Sequence, residues 1–95
     1  MKDVWPFDQP PNCAVVTVRE VAYESAPVLL VAHNADDHGW QFLGAGRPIP
    51  AHAVLVALST IVERDPSLYA LADLPPGWVA SRKDASSPWT REKLS

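Results

Sequence analysis

Cysteine is almost absent from this chain. Cys13 stands alone among 95 residues, so no disulfide can form within the chain, which fits a reducing compartment and a cytoplasmic protein. Long apolar runs are missing too. The two longest, 26–32 and 53–58, fall well short of the roughly 20 residues that a membrane-spanning helix needs. Asp3, Pro6, Asp8, Pro10 and Pro11 interrupt any signal-peptide core at the N-terminus, and no membrane association is expected. Positive charge is in deficit: the net charge is −3, which gives no reason to expect a nucleic-acid partner. Four of the eight basic residues, Arg82, Lys83, Arg91 and Lys93, crowd the last fourteen positions, where a solvated tail is the expectation. Glycine is scarce, and Gly44-Ala45-Gly46-Arg47 lacks the lysine and the following helix of a phosphate loop, so it reads as a turn.

What is present is the patterning of one small α+β domain. Residues 1–12, with prolines at 6, 10 and 11, predict an extended arm from which Trp5 and Phe7 can dock. The alternation of Val16 and Val18 with Thr17 and Arg19 predicts a strand over 13–19, followed by a connection over 20–27. Residues 28–34, apolar on both faces, predict a strand at the centre of a sheet. Asn34-Ala35-Asp36-Asp37-His38-Gly39 supplies the reversal, and Trp40–Leu43 returns as the next strand. A further strand is expected over 52–58. Thr60 and Glu63 have capping-box spacing, and Asp65-Pro66 then breaks the helical stretch 60–73 and restarts it. Residues 78–83 predict a fifth strand, 88–91 a short edge segment anchored by Trp89, and 92–95 a frayed end. The fold expectation is an antiparallel sheet of about five strands with one broken helix packed on one face. The domain proper spans 13–91.

Candidate chemistry clusters at the hairpin tip. His33, Asp37 and His38 are ligand types suited to zinc, iron or manganese, the basis of a metal-binding or metal-dependent alternative. The bland reading, in which the aspartates shape the turn and the histidines sit at the surface or the sheet edge, weighs more, and no cofactor is expected. Cys13 with His33 or His52 is the one conceivable cysteine nucleophile, but no electropositive environment supports it. Asp36 and Asp37 form an acid pair on paper, though neighbours on a turn point apart. Four tryptophans are many for this length. Trp40 and Trp78 read as core, whereas Trp5 and Trp89 are candidates for a partner surface or a homodimer interface.

The run 33–42, then Asp65-Pro66-Ser67-Leu68, Ala72-Asp73-Leu74-Pro75-Pro76-Gly77-Trp78 and Pro88-Trp89, resembles a family of short uncharacterised bacterial proteins. Some of that family's members are grouped with immunity proteins of polymorphic toxin systems. The resemblance spans 13–91 and implies a bacterial, cytosolic, non-enzymatic protein. It carries no catalytic residue. The functional expectation is thus a protein-binding module, of the kind that inhibits a toxin. Asp36, Asp37, His38, Trp89 and Trp5 are its candidate contacts, and a basic protein is its candidate partner.

Overall fold

Strand β1, Ala14–Val18, and the strands that join it alternate sharply in burial. Val15, Thr17, Val31, His33, Trp40, Phe42 and Ala80 are buried, while Val16, Leu30, Ala32, Gln41, Leu43 and Val79 are half-buried. Period-two alternation gives the sheet one core face and one wetter face. The computed structural model describes residues 5–46 and 49–94. The first four residues of the expected arm, Arg47 and Pro48 of the glycine loop, and Ser95 lie outside the described residues.

Among the described residues the sheet has six strands and is mixed, where about five antiparallel strands were expected. Beyond β1 the elements are α1 (Arg19–Tyr23), β2 (Leu30–His33), β3 (Trp40–Leu43), β4 (Ala53–Ala57), α2 (Leu58–Arg64), β5 (Trp78–Ser81) and β6 (Thr90–Lys93), and the strand order is β4-β1-β3-β2-β5-β6. The correction originates in the stretch read as a plain connection. There α1 reverses the chain and β2 lays down two places away from β1. The hairpin then returns β3 into the gap, antiparallel to β2 and parallel to β1, with Val16 opposite Gln41. The hairpin strands occupy the two central positions, as their two-sided hydrophobicity predicts.

The helical layer covers the core face. In α2, Leu58, Ile61 and Val62 are buried, the i, i+3, i+4 stripe of an amphipathic helix. Each such side chain contributes roughly 1.5–3 kcal/mol on full burial. The helix begins at Leu58, two residues before the expected Thr60, and its N-cap Ala57 makes no side-chain bond, so the Thr60–Glu63 box does not form. Burial of Leu58 decides this boundary, because starting the helix later would pull that side chain from the core. The break falls where Asp65-Pro66 predicts it: the Asp65 carboxylate accepts from the Ser67 amide and hydroxyl, and a 3-10 helix runs Pro66–Leu71. Leu68, Leu71 and Leu74 repeat every third residue, the period of a 3-10 turn, and all three are buried. At the C-terminal end, β6 pairs with β5 from Thr90 to Lys93, so Glu92 and Lys93, expected to fray, belong to a strand. No helix among the described residues is long and apolar enough to cross a membrane.

Candidate functional site

The tip between β2 and β3 is built by its own polar groups. The Asn34 amide donates to the Gly39 carbonyl at 2.8 Å, and the Gly39 amide donates to Asp37 Oδ1 at 2.8 Å. His38 adopts φ 58°, the left-handed conformation that closes the turn. Ala35, Asp36, Asp37 and His38 are exposed. The tip thus presents two carboxylates, one tied to the backbone and one directed to solvent.

The N-terminal segment buttresses this tip from beneath. Phe7 is buried edge-on to Trp40 at 5.3 Å between ring centres, and Trp5 packs at 5.4 Å from Phe7 and 6.3 Å from Tyr69. Gln9 Nε2 donates to the His38 carbonyl at 3.2 Å, joining the segment to the tip directly. Asp8 is the hub. Its Oδ1 accepts from Trp40 Nε1 at 3.1 Å, and its Oδ2 lies 3.1 Å from His33 Nε2. The His33 ring stacks on Trp40 at 4.0 Å, and its Nδ1 donates to the Leu74 carbonyl at 2.6 Å. A carbonyl and a carboxylate both accept, whereas a neutral imidazole carries one proton. With that proton on Leu74, Nε2 meets Asp8 at ion-pair distance but without hydrogen-bond alignment.

His33 is a core residue whose two ring nitrogens face Leu74 and Asp8, and Asp37 is committed to Gly39. The structure does not bring His33, Asp37 and His38 together as ligands, and no three His, Cys, Asp or Glu side chains converge as a metal site among the described residues. Cys13 Sγ contacts Gln9 Oε1 and the Ala14 carbonyl rather than a histidine. Trp89 packs against the core under the Arg82 guanidinium, 4.2 Å from its ring centre, with a buried Nε1 that has no hydrogen-bond partner among the described groups. Trp5 is likewise half-buried, and its Nε1 donates to the Gln9 carbonyl at 2.7 Å.

Two polar clusters were not foreseen. His52 Nδ1 lies 2.5 Å from Glu20 Oε2, and Arg19 reaches His52 Nε2 at 2.9 Å. A guanidinium only donates, so Nε2 accepts and Nδ1 carries the proton toward Glu20. The Glu20 carboxyl is held below its ordinary value by its own backbone amide first, then by His52. The cluster borders a cavity of about 230 Å³ that reaches Leu43 and Gly44. Arg82 forms the second cluster. Its Nε donates to the Val28 carbonyl at 3.0 Å, one terminal nitrogen to Ser67 Oγ and the Ala85 carbonyl, and the other to Asp65 Oδ2 at 2.9 Å. Its side chain is 3% exposed, a structural knot rather than part of a solvated basic tail. Arg82, Asp65 and Arg64 line an open cavity of about 490 Å³ with Val21, Val28 and Ile61. Arg64 donates from one terminal nitrogen to the Val21 and Ala22 carbonyls at the end of α1. The spacing of Asp8 and Arg82 from their partners in the chain offers no local signal for either role.

No protein-family model matches this chain, and no curated protein or solved structure matches it either.

Proposed function

We propose that this chain is a protein-binding module of the immunity-inhibitor type, and that it meets a basic partner with its hairpin tip. The observation carrying this reading is the pair of exposed carboxylates, Asp36 and Asp37, on a turn braced by Asp37–Gly39 and Gln9–His38 hydrogen bonds. A braced tip loses little conformational freedom on binding, and its negative charge steers a cationic partner toward it. Asp8, 42% exposed on the buttressing segment, adds a third carboxylate at the same end of the sheet. His38 lies beside them, exposed. Trp5 and Trp89 enter this reading through the partly exposed faces they retain.

The test compares Asp36→Ala/Asp37→Ala with the unaltered protein, first in capture from the source cell and then in titration against the captured protein. A basic partner whose affinity falls by about tenfold in the double variant, with a shallower salt dependence, is the expected result. A partner bound with unchanged affinity and unchanged salt dependence removes the tip from the interface.

A further inference from the structure

At the β4 margin of the sheet a strand of alanine, valine and leucine lies open. Among the described residues Ala53–Ala57 pairs only with β1, and it carries no charge, proline or bulge that would discourage another strand from adding to it. Leu55, at its midpoint, is 68% exposed.

The hydrogen-bond phase shows what the edge offers. The Leu58 amide donates to the Cys13 carbonyl at 2.8 Å, which makes those two residues a bonded pair of the antiparallel ladder. Bonded and non-bonded pairs alternate, so Val56 opposite Val15 and Val54 opposite Thr17 turn their backbone groups toward β1. Ala53, Leu55 and Ala57 turn theirs outward. Two of those six outward groups are already used. The Ala53 amide donates to the Pro50 carbonyl, and Ala57 is the N-cap of α2, whose carbonyl takes the first helical hydrogen bond. Four remain without a partner among the described residues: the Ala53 carbonyl, both groups of Leu55 and the Ala57 amide.

We infer that this edge pairs with the β4 edge of a second copy of the chain, antiparallel about a two-fold axis at Leu55. That register matches the open groups to each other. Leu55 exchanges both bonds with Leu55 of the second copy, and each Ala57 amide donates to the opposite Ala53 carbonyl. All four open groups of each copy are satisfied, and the ladder stops where the 3-10 turn Pro50–His52 and α2 have taken the remaining groups. The side chains agree with the backbone. Val54 stands opposite Val56, alanine opposite alanine, and the two exposed Leu55 side chains meet across the axis on the wetter face. An isologous contact needs a surface complementary to itself, and β4 has that property without any charge to repel its copy.

The test is the oligomeric state of the full chain by sedimentation equilibrium, together with amide exchange. The unaltered protein is expected to form dimers, with Leu55 and Ala57 amides whose protection rises with protein concentration. Leu55→Lys places like charges opposite each other at the axis and weakens the dimer by at least roughly a hundredfold. Leu55→Glu does the same, and an equimolar mixture of the two variants restores dimers. The amide measurement needs no variant and so stands if either substitution disturbs folding. A wild-type protein that remains monomeric at millimolar concentration, or a dimer that survives Leu55→Lys, overturns the inference.

Discussion

The two margins of the sheet differ in kind. Strand β6 bears Thr90, Arg91, Glu92 and Lys93, all exposed, and β4 bears alanine, valine and leucine. Among the described residues both strands have one paired side and one open side. Charged side chains along an open edge make the approach of another strand costly, because the incoming chain must desolvate them. The β6 margin is protected in this way. It is also tied inward: Arg91 donates to the Ala70 carbonyl and to Asp73, and beneath the neighbouring strand Arg82 clamps Trp89, Asp65 and Val28 together. The β4 margin has none of this protection, although it belongs to the same sheet and is of similar length. One edge is closed to pairing by its side chains and the other is left able to pair.

The comparison breaks most severely at Arg82. Replacing it with alanine strips a half-buried carboxylate, the Val28 carbonyl and a tryptophan face of their partner at once, and the expected cost is about 2 kcal/mol, read as a lower urea midpoint. If the loss is below about 0.5 kcal/mol, the range of an ordinary surface substitution, the β6 side is not held by that clamp. Next in size is an exchange of edge character. Glu92→Val with Lys93→Val removes two of the three charges from the β6 edge, and assemblies larger than a dimer are expected by light scattering; an unchanged state means that those charges are not what protects β6. By contrast, Leu55→Lys should leave the unfolding free energy of the monomer within about 0.5 kcal/mol, since the side chain is exposed.

The smallest effect is expected at Asp73. The Arg91 hydrogen bond, and then the Arg91 charge, hold its carboxyl below its ordinary value of 3.8. A carboxyl depressed in the folded state contributes stability above its unfolded value and loses it as pH falls through the folded one. The contribution is therefore complete at neutral pH and fades only in acid. Arg91→Gln should move the Asp73 titration upward by NMR with little change in thermal midpoint, because the pair is exposed and solvent screens it. A titration that does not move separates the two side chains in solution.

Much of the fold was legible because it rests on short-range patterns. Val31 and His33 on one strand, with Trp40 and Phe42 on the next, mark the central hairpin by alternation alone, and Asp65-Pro66 marks the break in the helical layer by cap chemistry. The parallel contact of β1 with β3 was not legible. Strand pairing is chosen among all strands at once, and nothing in 14–18 specifies that a hairpin formed later inserts beside it. Of the candidate site, the acidic tip was readable as a turn with exposed carboxylates. The buried role of His33 was not, since alternation places it on a face without saying whether that face is covered or by what. Asp8 and Arg82 were missed for a related reason: a polar side chain leaves no periodic trace of a partner that meets it only after folding.

The amino-acid sequence by itself determined the class of structure, the central hairpin, the chemistry of its tip and the apolar character of β4. Those depend on residue type and spacing within a few positions, where propensity and burial act directly. Tertiary structure alone decided that the sheet is mixed, that His33 lies over Trp40 with its nitrogens toward Leu74 and Asp8, and that β4 rather than β6 is the apolar margin. Edge and centre are properties of an arrangement of strands. A strand of alanine, valine and leucine would be unremarked in the middle of this sheet. At its margin, the same five residues leave four backbone groups open.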